Sequence, residues 1–395
     1  MANTILTPTA VTRKALQILH QKLNFIGSIN RSYDDSFAKS GAKIGDSLKI
    51  RLPNQYTVRT GATLSTQDVT ESSTTLQVAT QKGVDTTFTS AELTLSLDDF
   101  SERILEPAMA VLAANMEADA FTMARDVYQA VNNVGSAITL NKALAARKLL
   151  VDALAPGDKR CLILNTQDNL DLVDGLKGLF QDSTEIAKQY RDGAVGRTAG
   201  FGTIYENTIL PSQTTGTAVA VTGYLTNAAT QSGAAIVVDT GTTTFLVGDV
   251  ITFAGVNRVH PETKADTGAL QQFVITANSG SSATSLAISP AIVATGATQN
   301  VSNTIADNSA VSKLGAASTV YKPSLAFHKD AFAFATADLV MPQGVDFAAR
   351  EVYDGISMRI VRQYAISTDT MPCRLDVLYG FKTIRAQLAA RILSN

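Results

Sequence analysis

Apolar residues recur along the chain with two different periods, and the period changes from one region to the next. Between Leu105 and Val127 they fall at steps of three and four: Leu105, Met109, Leu112, Met116, Ala120, Met123 and Val127. That spacing predicts a helix with one apolar stripe. Ser96 followed by Asp99 forms a capping pattern at its start, and Asp98 and Asp99 suit the positive end of a helix dipole. The helix is predicted to run over Asp98–Val131, on the order of 50 Å at 1.5 Å per residue. Pro107 lies inside the pattern and, lacking an N–H, should kink the helix or mark its true start. Shorter helices are predicted from Pro8 to about Phe25, from about Asn141 to Leu154 with Ala155-Pro156-Gly157 as a stop, and over Thr166–Leu176, capped by Asn165 or Thr166.

The second period is two. Leu48, Ile50 and Leu52 alternate with Lys49 and Arg51, which predicts a half-exposed strand over Ser47–Leu52. Strands are also predicted at Tyr56–Val58, Thr74–Ala79 and Thr86–Thr89. The polar stretch between Arg59 and Ser73 reads as the tip of a long two-stranded arm. From Thr214 to about Leu314 the chain becomes Thr, Ser, Ala, Gly and Asn with short β-branched runs, at Ala235–Asp239, Thr243–Val247, Val250–Ala254, Gln272–Thr276 and Leu286–Ile288. Gly248-Asp249 and the run from Asn278 read as turns between them, so this stretch is expected to be a separate all-β domain. Strands at Cys161–Leu164, Ser324–Phe327, Ser357–Tyr364 and Ser367–Leu378 flank it. The pattern is that of one α+β domain interrupted by a β insert.

Composition narrows the function. The chain has 395 residues, 45% of them hydrophobic and only 17% charged, with 33 Lys+Arg against 35 Asp+Glu and no Trp. A net charge of −2 excludes a basic nucleic-acid binder, whose affinity comes from neutralising phosphates. The apolar content excludes intrinsic disorder. A low-charge, weakly aromatic chain of this length suits a protein whose surface is covered by neighbours. Cys161 and Cys373 are far apart and read as buried free thiols. The N-terminus lacks the features of a signal peptide, and no apolar run approaches the ~20 residues a membrane helix needs, so a cytosolic origin is expected.

The search for chemistry returns nothing organised. His20, His260 and His328 lie in three segments, none at metal-ligand spacing from another His or a Cys. The run Gly196-Arg-Thr-Ala-Gly200-Phe-Gly is neither a dinucleotide fingerprint nor a phosphate loop. Asp168, Asp171 and Asp174 lack the alternating ligand order of a calcium loop and read as a solvated helix face. Asp34/Asp35 and Asp98/Asp99 are adjacent pairs whose side chains diverge. No enzyme, cofactor or metal site is expected.

Five stretches, in order along nearly the whole chain, carry a resemblance. They are Asn24-Phe25 through Tyr33 with Gly45-Asp46-Ser47 through Pro53; Asp99-Phe100 through Pro107-Ala108 with Leu112 to Asn115; Arg191-Asp192-Gly193 through Gly200-Phe201, continuing to Glu206-Asn207 and Leu210-Pro211; Phe327-His328-Lys329-Asp330-Ala331-Phe332; and Arg374-Leu375-Asp376 through Lys382, ending in Leu388-Ala-Ala-Arg391. Together they resemble the major capsid proteins of tailed bacteriophages, in the coat-protein family of the Salmonella short-tailed phages. One departure is the run Thr383 to Gln387, where the family pattern has a Pro-acid pair.

The resemblance implies an α+β tailed-phage major capsid fold with an inserted all-β barrel. The divisions would be an N-terminal arm over 1–46, an extended β-hairpin loop over 47–89, a peripheral domain with the spine helix over 90–160, an axial domain over 161–213, the barrel over 214–314 and the remaining axial and peripheral part over 315–395. It implies a structural subunit with no cofactor, assembling with itself as pentamers and hexamers, with a scaffolding protein and a portal as partners. The shell would enclose double-stranded DNA non-specifically and would not touch a membrane. It would be made in the bacterial cytoplasm and end in the virion, its precursor shell expanding on packaging. Candidate assembly residues are Leu105, Pro107, Leu112, Met116 and Met123 on the helix, Arg51 and Arg59 on the hairpin, and Gly248 and Asp249 on the barrel's turn. The alternatives are another virion component, a tail or decoration subunit, and an enzyme built around His328.

Overall fold

A computed structural model describes residues 8–31, 47–64, 66–68, 71–88, 105–176, 199–353, 355–367 and 370–394. The chain divides into two compact units. One is Met1–Ile50, Ser73–Phe121 and Phe332–Ile384; the other is Arg51–Ser72, Thr122–Ala331 and Arg385–Asn395.

The first unit holds helices α1 (Pro8–Lys22), α2 (Phe25–Ser28) and α3 (Glu106–Phe121), a small pair of strands β1 (Ser47–Arg51) and β2 (Ser73–Gln77), and a five-stranded sheet. That sheet is built from β3 (Thr80–Phe88), β16 (Phe332–Ala337), β17 (Phe347–Tyr353), β18 (Ile356–Arg362) and β19 (Met371–Thr383). Strand β19 is its axis. Leu378 pairs with both Gln81 and Ala337, and Cys373 with both Thr86 and Arg362. So β3 runs along one edge of β19, while β18 and then β16 share the other. Gly380 is required where β2 passes over β19, because a Cβ there would lie 2.1 Å from the Gln77 carbonyl oxygen.

The apolar stripe of α3 does what its spacing demands: Leu105, Met109, Leu112 and Met116 are buried. Phe121 at its end stacks on Phe25 at 4.4 Å, and Phe25 meets Phe332 edge-on at 5.6 Å. Glu117 is buried within the same helix, and its Oε1 accepts the Phe25 backbone N–H at 2.7 Å. That bond lets a carboxylate sit among aromatic rings without an unmet acceptor. Asp119 is tied to Lys82 at 2.7 Å and accepts the Tyr379 hydroxyl at 2.5 Å.

The second unit contains a closed six-stranded barrel and a five-stranded sheet. The barrel strands are β8 (Val221–Thr226), β9 (Gly233–Asp239), β10 (Val250–Val259), β11 (Asp266–Ile275), β12 (Ser285–Ile292) and β13 (Ala310–Lys313), joined in the order β10-β11-β12-β9-β8-β13 and closed by β13 on β10. Alternation fills it. In β8 the side chains of Thr222, Tyr224 and Thr226 are buried between exposed or half-exposed neighbours. Phe245, Phe253 and Phe273 join Tyr224 in a continuous core.

A neck of two short strands, β7 (Gln213–Thr214) and β14 (Val320–Tyr321), carries the chain in and out of the barrel. Beside it lies the sheet β4-β20-β15-β5-β6, made from β4 (Ala130–Asn132), β5 (Arg160–Leu164), β6 (Thr203–Glu206), β15 (Ser324–His328) and β20 (Ala389–Leu393). Helices α4 (Leu140–Asp152) and α5 (Thr166–Leu176) also belong to this unit. Strands β5, β15 and β20 are buried at every position, as expected of a sheet covered on both faces.

Several expectations change. The helix predicted to reach Val131 ends at Phe121, about 24 Å after Glu106. It gives way to a 3-10 turn over Thr122–Asp126, and Ala130–Asn132 becomes strand β4. A three-or-four step cannot separate an α-helix from a tighter turn, and parallel pairing of Ala130–Asn132 with Arg391–Leu393 takes the backbone groups a helix would have used. The part predicted at residues 96–104 lies outside the described residues. Tyr56–Val58 and Thr243–Val247 are not strands. The first is exposed, with no partner strand among the described residues. The second packs Phe245 into the barrel from a loop whose backbone bonds go to side chains, Phe245 N–H to Ser279 Oγ at 2.8 Å and Val247 N–H to Asn278 Oδ1 at 2.8 Å.

Candidate assembly segment and barrel joint

The segment from Leu52 to Ser72 leaves β1 and returns to β2, closed at its base by Leu52 N–H to Ser72 O at 2.9 Å. Farther out, one side chain stands in for a strand. Gln67 Oε1 accepts the Thr57 N–H at 2.9 Å and its Nε2 donates to the Thr57 carbonyl at 2.5 Å. Arg59 donates to the carbonyls of Gly61 and Thr63 and so braces the turn that Gly61 makes at φ +96°. Arg51 pairs with Glu71 at 3.5 Å, both side chains well exposed, a contact of little stabilising value in water. Along this segment Tyr56, Val58 and Leu64 are 57%, 94% and 78% exposed. Among the described residues nothing covers them.

The other sequence-derived candidates fall in two settings. Leu112 and Met116 are buried on α3 and Leu105 is buried just before it, and Pro107 stands exposed in that helix's first turn, where a missing N–H costs no hydrogen bond. Met123 is buried in the 3-10 turn of the second unit. Gly248 and Asp249 form the turn into β10. Gly248 holds φ +95°, and a Cβ on it would lie 2.6 Å from Gln213 Nε2. Asp249 is buried, its Oδ2 accepting the backbone N–H of Gly216 at 3.0 Å and of Leu246 at 2.9 Å.

That turn meets a residue from the end of the fifth family stretch, whose contact with the turn no period signalled. Arg391 on β20 is fully buried, donating through Nη1 to Gln213 Oε1 at 2.6 Å and through Nη2 to the Gly248 carbonyl at 2.9 Å. Lys313, also buried, donates to the Ala316 carbonyl at 2.8 Å. Burial dominates the electrostatics of this cluster. It draws Arg391 down to about 10, pushes the Tyr321 phenol up to about 12, raises Asp249 and lowers Lys313; the attraction of Asp249 for Lys313 and Arg391 opposes the shifts of those three groups, while at Tyr321 Arg391 opposes the rise and Asp249 adds to it. In the sequence it closes the fifth family stretch and is an arginine inside an otherwise apolar run, Leu388 to Leu393.

Groups that drew attention as chemistry are structural. His328 is buried, its Nδ1 accepting the Asp330 N–H at 3.3 Å, and desolvation lowers its pKa. His260 is half-buried and its Nδ1 faces the backbone N–H groups of Glu262 and Thr263. Asp168 is not on a solvated face. It is buried and accepts from Ser324 Oγ and from Asn165 Nδ2 at 3.0 Å, while Asn165 Oδ1 caps the helix at the Asp168 N–H at 2.6 Å. The neighbouring Asp171 and Asp174 stay half-buried and exposed. Cys161 and Cys373 are buried free thiols, and burial pushes Cys373 up to about 12. Among the described residues no cluster of His, Cys, Asp and Glu could hold a metal ion, and no helix is long and apolar enough to cross a membrane. The side chains of His20, Asp34, Asp35, Asp98 and Asp99, and residues 196–198 of the glycine-containing run, lie outside the described residues, while Phe201 of that run is buried.

A family model described as P22 coat protein, gene protein 5, matches residues 29–391. The chain belongs to the P22 coat protein family. This coat protein is therefore a structural shell subunit of a bacteriophage virion and not an enzyme. No curated protein matches the chain. Among solved structures, it is similar to a chain from Mycobacterium phage Che8 at 13% identity, over 94% of this chain and 90% of that one, with a TM-score of 0.48. A chain of the cyanophage P-SCSP1u capsid aligns at 11% identity over 91% and 85%, with a TM-score of 0.42. The CUS-3 coat protein I-domain aligns at 28% identity over 24% of this coat protein and 96% of its own length, with a TM-score of 0.20.

Proposed function

We propose that this coat protein is made in the bacterial cytoplasm and assembles with a scaffolding protein and a portal into a precursor shell of pentamers and hexamers. The shell expands as it takes up double-stranded DNA. The observation that carries this reading is the segment 52–72. Tyr56, Val58 and Leu64 leave large apolar surface in water on a stretch with almost no packing of its own. Such a segment recovers that area when it lies over a neighbouring subunit. A net charge of −2 fits a wall that encloses DNA without gripping it.

In the same reading Arg51 and Arg59 orient the segment against the neighbour. The buried residues Leu105, Leu112, Met116 and Met123 keep their surroundings rigid during expansion, and Pro107 is the point of bending. The test is co-expression with the scaffolding protein, read by sedimentation and negative-stain microscopy. Closed shells are expected from the full chain, and monomers of unchanged stability from a chain in which 54–70 is replaced by a short Gly-Ser turn. Shells that form as well without the segment overturn its role, and rings without closed shells favour a tail or decoration subunit.

A further inference from the structure

The barrel stands on the second unit's sheet through a small joint. Its apolar part is Ala130, Val250, Tyr321 and Leu393, with the partly buried Val134 and Leu314 packed against them. Contact of this kind is non-directional, so by itself it does not fix the angle of the barrel about the two-stranded neck. Two polar contacts lie at the rim. The Gln272 amide accepts from the Ala130 N–H at 2.7 Å and donates to the Ala130 carbonyl at 2.9 Å, and Arg258 pairs with Asp152 at 2.7 Å. Both are partly open to solvent. Arg391 differs in being fully buried and in reaching two separate parts of the barrel's base, the neck at Gln213 and the turn at Gly248.

We propose that Arg391 is the pin that sets the angle of the barrel on the sheet. A planar fork with donors in fixed directions, rooted in β20 and bonded to both neck and turn, leaves the base one orientation in which both bonds are made. Cohesion is not its role. Arg391 Nε, Gln213 Nε2 and Asp249 Oδ1 have no hydrogen-bond partner among the described residues, and a partly satisfied buried ionic network holds less well than apolar packing of the same volume. What the network supplies is direction. Gln213, Gly248 and Asp249 precede Arg391 by well over a hundred residues, so the angle is set only when the last strand is laid down. This inference concerns the monomer and stands apart from the proposed assembly pathway.

The test uses the full-length monomer with spin labels at Val237→Cys on the barrel and Leu144→Cys on α4, both partly exposed sites, the native cysteines being buried. A narrow distance distribution is expected for the parent. Arg391→Met should broaden it and raise exchange of the Tyr321 amide about tenfold or more, with the barrel-core amides of β10 and β11 unchanged. Arg391→Lys, a single point donor, should recover only part of the narrowing. If Arg391→Met does not fold, Gln213→Met removes the acceptor from the barrel side and must broaden the distribution in the same way. A distribution as narrow as the parent's in whichever of these folds overturns the proposal, as does loss of barrel-core protection together with the joint.

Discussion

The barrel and the segment 52–72 are written in much the same alphabet of Thr, Ser, Gly, Ala and occasional large apolar residues, yet they solve opposite problems. The barrel closes on itself through β13 and β10, leaving no long free edge, and buries its four aromatic rings. The segment makes one backbone closure at its base, borrows a glutamine amide in place of a strand, and leaves Tyr56, Val58 and Leu64 in water. The difference lies in whether enough alternating strands follow one another to close a core. Composition does not carry it.

That contrast breaks first in the barrel core. Phe253→Ala removes a fully buried ring that packs 5.6 Å from Phe273, and should cost about 3–5 kcal/mol in urea unfolding of the full chain. A loss below about 1 kcal/mol would mean that the barrel is not the tight core described.

Burial also separates thiols. With Cys373 at about 12 in the fold and 9.0 in the open chain, the folded state keeps a proton that the unfolded state loses. Its contribution is complete below pH 9 and disappears as pH rises toward 12. Cys373→Ala should therefore flatten the loss of stability measured between pH 9 and 11. At pH 8, a Val58→Cys thiol on the segment should react with a disulfide reagent while Cys161 and Cys373 stay silent until the chain unfolds.

A smaller effect is expected at Tyr224, whose hydroxyl donates to the Thr243 carbonyl at 2.6 Å and accepts the Ala283 N–H at 3.0 Å. Tyr224→Phe orphans both and should cost about 1–3 kcal/mol by the same urea measurement. The smallest is Val58→Ser, within about 0.5 kcal/mol of the parent as a monomer. Its effect should appear only as a lower yield of shells, and a clear loss of monomer stability would show that the segment packs on its own chain.

Local signals suffice where the residues themselves carry the physics. Asn165 caps its helix as its side chain permits, and Leu105 to Met116 turn inward together because positions three and four apart share one face of a helix. Signals failed where a distant partner decided. Residues 130–132 continue a helical spacing but pair with β20, each with a partner 261 residues farther along the chain. Phe332–Ala337 and Ala389–Leu393 are strands buried at every position, apolar but for Thr336 and Arg391, with no apolar–polar alternation to announce them. Among the assembly candidates, Gly248 and Asp249 were visible as a turn, but not as the turn that receives Arg391.

By itself, the sequence determined the family, the β character of the insert, the polar nature of the segment after Leu52 and the absence of any organised catalytic motif. All of these follow from residue type, order and short-range period. Only the tertiary structure decided that the insert closes into a barrel, that the helix stops at Phe121, that Asp168 is buried, and that an arginine near the chain's end reaches Gln213 and the Gly248 carbonyl. Those outcomes depend on which backbone and side-chain groups find partners far along the chain. Hydrogen-bond accounting across the whole fold settles that, and local preference does not.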